Sequence, residues 1–361
     1  DGDKMEVINS SVDEDAIKAA LLASYREQFA SVHINLRCLL EVLRTQYIGG
    51  KAAKQLAKVA ELGLPSSTDD IEGEQRTVAT RMMFVPASNQ ILLSPVNSNA
   101  GLVTVATPAI QLINVVGNDF FLPAYSRVYL ERRLIGNDDI NQFSVTNTGK
   151  LMAMHKAPSI VYTLKLTNKS MPADFAYIDI VSFSATKGKA KRDSQLTLNE
   201  KYIAAIKTKF KINAHTMHKL AKQYADKWLT LKGDHANRAE NDLCKFAVTA
   251  DAFEFEIFDK AGDVASDPVC MHGAKLKLAK PYKHHFKCRD LMAALSGMGA
   301  LQLQGDVEML LDGNVLAFKY STDAASYTTA IPTYNDKTEQ RNDKAFVMYT
   351  AIPYTSHASA A

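Results

Sequence analysis

Three ten-residue stretches, 34–43, 212–221 and 286–295, can be laid over one another without a gap. Each opens with strand-like residues (Ile34-Asn35, Ile212-Asn213, Phe286-Lys287) and then places its apolar residues at helical spacing. Each is followed by an alternating, turn-interrupted stretch that reads as a hairpin: Met82–Ser94, Lys245–Phe258 and Val307–Tyr320. The predicted unit is therefore strand–helix–strand–strand–strand. A fourth copy is expected around Ser126–Leu166. Its front end, Arg127–Arg133, is degraded, and its hairpin is expected to run from Gln142–Thr146 through Asn147-Thr148-Gly149 to Lys150–His155. Repeats of this kind predict an α+β fold with helices on one face of antiparallel sheets.

The rest of the chain fits around these units. Ser11 and Glu14 form a capping box ahead of a helix over Ala16–Phe29, and a second helix is expected over Lys51–Leu62, ended by Gly63 and Pro65. Ser159–Leu166 and Phe175–Phe183 read as strands, Asp312-Gly313-Asn314 as a tight turn, and Phe346–Tyr349 as a further strand. Lys187–Arg192 is a basic loop. The expected division is an N-terminal domain over 1–185 with helical insertions, a basic linker over 186–200 and a C-terminal domain over 201–361.

Composition narrows the function. The 361 residues are 47% hydrophobic and 22% charged, which fits a folded chain and excludes global disorder. No apolar run reaches the ~18 residues a membrane span needs, and the acidic N-terminus shows no signal-peptide pattern. The four cysteines, Cys38, Cys244, Cys270 and Cys288, form no C-x-x-C pair, so reduced thiols and a cytoplasmic location are expected. Phosphate-binding loops, H-E-x-x-H and G-x-S-x-G are all absent, so an enzyme is not expected. Cys270 and His272, with His284, His285 and Cys288, could supply metal ligands, but structural zinc wants four at defined spacing, and no metal or cofactor is predicted.

The net charge is only +3, so any polyanion site must be a local face. The fourth position of the three clear repeats carries Arg37, His215 and Arg289. Arg44, His218, Lys219, Lys222 and Lys287 lie in or beside the same helices, and Lys187, Lys189, Lys191 and Arg192 make up the basic loop. Short helices with one face on a sheet and cations on the other suit sequence-independent phosphate contact. The expected DNA-contacting set is Arg37, Arg44, His215, Lys219, Lys222, Lys287 and Arg289, with the four loop cations.

On these residues, best in Phe286–Pro332, the chain resembles the DNA sliding clamps, the processivity factors of replicative polymerases. That resemblance implies a ring of twelve repeats around duplex DNA, with helices lining the hole and sheets outside. Four repeats per chain imply a homotrimer. It also implies a polymerase or other replication protein docked through a short peptide, and a possible loader. The length, the N-terminal helix and the positive net charge depart from a simple two-domain clamp and are expected of a divergent viral or phage member. The residues also fit two alternatives: a non-ring factor that binds DNA directly, and a viral structural or assembly protein held together by β-rich packing.

Overall fold

The computed structural model describes residues 29–45, 80–85, 88–95, 101–111, 113–116, 119–122, 142–147, 159–166, 175–183, 194–221, 243–249, 253–257, 278 and 280–350. Within them the chain is mostly antiparallel sheet with few helices, an α+β fold. The first half supplies β1 (Phe29–Asn35), α1 (Leu36–Arg44), β2 (Thr80–Val85), β3 (Gln90–Pro95), β4 (Val103–Pro108), β5 (Ile113–Val116), β6 (Asp119–Leu122), β7 (Gln142–Asn147), β8 (Ser159–Leu166) and β9 (Phe175–Phe183). The second supplies β10 (Ser194–Leu198), α2 (Glu200–Ala205), β11 (Thr208–Asn213), α3 (214–221), β12 (Leu243–Val248) and β13 (Phe253–Ile257). These are followed by β14 (Tyr282–Lys287), α4 (Cys288–Gly299), β15 (Asp306–Asp312), β16 (Val315–Ser321), β17 (Ala325–Pro332) and β18 (Phe346–Thr350).

The strands form sheets in the orders β5-β1-β9-β8-β7, β10-β18, β11-β15-β16-β17-β4-β3-β2-β6 and β13-β12-β14. Strands are exchanged across each half. β11 and β14, the strands ahead of α3 and α4, each join the strands that follow the other helix, β11 on β15–β17 and β14 on β12–β13, while β6 sits on β2–β4 and β1 on β7–β9. Three of the four visitors pair with the first strand of the host meander, whereas β1 pairs with the last, β9, from Phe29↔Val181 to Asn35↔Phe175. β5 then pairs with β1 on its other side.

The two halves meet in one sheet. β4 and β17 pair antiparallel from Val103↔Ala330 to Pro108↔Ala325. Period-two alternation sends neighbouring side chains of this sheet to opposite faces. Phe84, Ile91, Leu93, Met309, Leu311, Leu316 and Phe318 join one core with α1, α3 and α4. Met83, Val85, Leu92, Leu310, Val315 and Ala317 join another, covered by Leu198, Ile203 and Phe346 from β10, α2 and β18. Both faces are covered, so β16 reads as a continuous apolar run rather than an alternating one.

Three strand-to-helix junctions are built alike. Asn35 Oδ1 accepts the Cys38 amide at 3.1 Å, and Asn213 Oδ1 accepts the Thr216 amide at 2.7 Å, so an asparagine caps both α1 and α3. The buried positions also match: Leu39 and Val42 in α1, Met217 and Leu220 in α3, Leu291 and Ala294 in α4.

Among the described residues β7 pairs with β8, Gln142↔Lys165 to Asn147↔Ile160, and the expected hairpin arm 150–155 lies outside them. Two sequence expectations change here. The strand before α4 begins at Tyr282, four residues earlier than expected, and the helix runs on to Gly299. The expected linker 186–200 contains β10 and the start of α2: β10 pairs with β18, and the Asn199 side chain caps α2 through the Tyr202 amide. The expected helices over 16–29 and 51–62 lie outside the described residues.

Candidate nucleic-acid interface

α1, α3 and α4 lie together on one face of the eight-stranded sheet, packed to the limit of side-chain size. A Cβ on Gly297 of α4 would stand 2.6 Å from the carbonyl oxygen of Thr45, just beyond α1. A Cβ on Gly299 would meet Ala221 of α3 at 3.1 Å. Beside them Gly101, leading into β4, donates its N–H to the buried Asp290 carboxylate at 3.0 Å. Any side chain at Gly101 would run into the Pro332 ring, 2.4 Å away.

The expected cations fall into distinct environments. Arg37 is half-exposed and committed to acids: Nε is 3.2 Å from Glu41 Oε1, and a terminal nitrogen is 3.2 Å from Asp323 Oδ2. Arg44 is half-buried and, with Arg37, lines a cleft of about 860 Å³ that also includes Asn35, Glu41, Leu301 and Asp323. His215 and Lys219 are exposed on α3, and His218 is half-buried there. Lys287 is half-buried, with its ammonium 5.6 Å from the centre of the Tyr334 ring. Arg289 is in the first turn of α4, and its side chain lies outside the described residues, as do Lys222, Lys187, Lys189, Lys191 and Arg192. Cys270 and His272 also lie outside them.

The structure adds cations that the repeat pattern passed over. Lys207, Lys209 and Lys211, in and before β11, are all exposed. With His215 and Lys219 they make the 201–225 stretch wholly free of Asp and Glu, a signal the sequence carried in plain view. Lys209 and Lys211 lie opposite Leu310 and Glu308 and so share the sheet face away from α3. The basic stretch therefore wraps the β11 edge rather than lying on one plane.

Acids shape the α1 side. Glu41 is 5% exposed, and its second oxygen accepts the Thr322 hydroxyl and, at 3.4 Å, the Tyr327 hydroxyl. Burial, helped by the Glu41 charge, pushes the Cys38 thiol up to about 12. Burial together with Cys38 and Glu41 holds the Tyr327 hydroxyl well above its ordinary range. Both groups stay neutral near neutrality and act as packing elements.

On the opposite face, a cleft of about 510 Å³ crosses the strands beneath α2. Gln90, Thr107, Lys319 and Thr328 belong to its floor, with Glu200 and Ile203 of α2 at its side. α2 is fixed beside it by Tyr202, whose hydroxyl donates to Asp312 Oδ1 at 2.5 Å and accepts from Asn314 Nδ2 at 2.7 Å. Among the described residues no helix is long and apolar enough to cross a membrane.

No family model matches the chain, and no curated protein matches it. Among solved structures it is similar to the Helicobacter pylori β clamp in complex with diflunisal (TM-score 0.44, 9% identity, 85% of this chain and 66% of that one). A second β-clamp structure from that organism, in complex with 5-chloroisatin, gives 0.44 and 12% with the same coverage. The Borrelia burgdorferi DNA polymerase III subunit beta in complex with a natural product gives 0.45 and 10%, over 85% of this chain and 64% of that one. The chain thus spans just under two thirds of the length of these solved chains.

Proposed function

We propose that this chain is a sliding clamp: a non-catalytic protein that closes a ring around duplex DNA and tethers a polymerase or other DNA enzyme. The observation that carries the reading is the exchanged-strand topology, in which β4–β17 pairing joins two such halves into one sheet with α1, α3 and α4 all on one side. Joining halves edge to edge uses up the hydrogen-bonding edges that would otherwise aggregate, and three copies of a two-half chain would close on themselves. The domain division at 1–185 and 201–361 fits this reading, with β10 and α2 as a structured connector.

In this reading the helical side faces the DNA. Lys219 and His215 supply phosphate contacts, joined by Arg44, Lys222, Lys287 and Arg289 and by the loop cations Lys187, Lys189, Lys191 and Arg192. Arg37 contributes only by giving up its two carboxylates. Such contacts are salt-sensitive and blind to sequence, which permits sliding. The cleft beneath α2 is the proposed seat for a partner's short peptide. A second reading, a non-ring factor that holds DNA directly, is favoured by the acid-free run Lys207 to Lys219 wrapping the β11 edge.

The test is retention on nicked circular DNA against the same DNA linearised, at a salt concentration that abolishes simple electrostatic binding, with and without a loader extract. A ring stays on the circle and runs off the linear form. Equal loss from both removes the clamp reading, and equal salt-dependent binding to both favours the direct-binding factor.

A further inference from the structure

The joint between the halves is fastened on both faces of the sheet by different chemistry. Main-chain pairing of β4 with β17 does not by itself set the angle between halves, because neighbouring strands tolerate twists of roughly −10 to −35°. On one face the fastening is apolar: Leu198, Ile203 and Phe346 pack on Met83, Leu92 and Val103 of the first half and on Leu310, Val315 and Ala317 of the second. On the other face it is polar and centred on one buried carboxylate.

Glu41, on α1 of the first half, receives Arg37 on one oxygen and the Thr322 and Tyr327 hydroxyls on the other. Thr322 and Asp323 form the β16–β17 turn of the second half, and Tyr327 lies on β17. Thr322 Oγ1 in turn accepts the amides of Ala324 at 3.1 Å and Ala325 at 3.2 Å, so the turn is organised around the hydroxyl that Glu41 holds. Arg37 completes the bridge by reaching Asp323. We infer that Arg37, Glu41, Thr322 and Asp323 form an ionic latch that fixes the angle between the two halves, with Glu41 as its positioning residue.

The latch makes a distinctive thermodynamic prediction. A buried carboxylate stripped of its cation is worse placed than one removed together with it. Losing Arg37 alone therefore strands Glu41, and neutralising Glu41 in the same chain relieves the loss. A residue that merely packs would give additive effects.

The experiment uses the full chain without DNA, so its failure leaves the clamp reading untouched. Arg37→Met, Glu41→Gln, the double variant and Asp323→Asn are compared by thermal midpoint and by amide exchange over 322–330. Arg37→Met is expected to lower the midpoint most and to speed that exchange by roughly tenfold, with β12 and β14 unaffected. The double variant is expected to recover part of the loss. Should Arg37→Met not fold, Arg37→Lys takes its place, and Glu41→Gln must then again lessen the loss. Additive midpoints with unchanged exchange over 322–330 would overturn the latch.

Discussion

α1 and α3 begin in the same way and end up in opposite service. Both follow a strand ending in Ile-Asn, both are capped by that asparagine, and both bury the equivalent pair, Leu39 and Val42 or Met217 and Leu220. Their outward residues differ. α1 turns Arg37 and Glu41 toward the β16–β17 turn of the other half and spends its charge on the joint. α3 leaves His215 and Lys219 in solvent, in a stretch that also carries Lys207, Lys209 and Lys211 and has no acid within it. One local pattern thus supports a structural helix and a candidate polyanion-binding helix, and the partner on the neighbouring element decides between them.

The largest effect that tests the shared part of this comparison is core truncation. Leu39→Ala and Met217→Ala are each expected to cost about 2–5 kcal/mol in chemical denaturation. A near-neutral result in one alone would break the structural equivalence of the two junctions. Next comes close packing: Gly297→Ala drives a methyl into the Thr45 carbonyl and is expected to cost about 1–3 kcal/mol by the same measurement. It acts on the α1–α4 contact and leaves α3 in place.

The divergent part is sharpened by a crossed pair of surface variants. Lys219→Met should change stability by less than about 0.5 kcal/mol. It should also flatten the slope of log affinity against log salt by about 0.9. Arg37→Met should do the reverse, losing stability with little change in slope. Matching behaviour of the two variants would erase the distinction between the helices. Cap removal should treat the helices alike again: Asn35→Ala and Asn213→Ala are each expected to cost about 1 kcal/mol.

The smallest effect concerns pH. Burial lowers the His284 pKa and neighbouring His285 lowers it further, while Asp312 opposes them. The unfolded imidazole therefore binds a proton first, and stability is lost as pH falls below the ordinary histidine value. The thermal midpoint should decline slightly between pH 7 and 5, and less so in His284→Asn. An unchanged decline would remove His284 as a source.

Much of the local structure was legible. The β15–β16 hairpin with its Asp312-Gly313-Asn314 turn, the β2–β3 hairpin and β18 all follow from period-two patterning and turn residues. The strand partners were not, because alternation fixes which face a side chain takes and says nothing about which strand lies beside it. β4 could not be assigned to β17, more than 200 residues away, nor β1 to β9 rather than β7. β10 was hidden in an expected linker because Ser194–Leu198 is short and preceded by lysines. Among the candidate cations, Arg37 was legible as a charge and Glu41, four positions on, as an acid that dilutes the basic pattern, but Asp323 was not legible as a partner, because it is 286 positions away. Lys207, Lys209 and Lys211 were overlooked for the opposite reason: they lie in a strand or just before it, and the repeat drew attention to helices.

The most direct measurement is the native mass in solution, by light scattering behind a sizing column over a range of concentrations. Two joined halves per chain, closing edge to edge, predict three chains per particle. A monomer at every concentration, or a stable dimer, would contradict the closed ring.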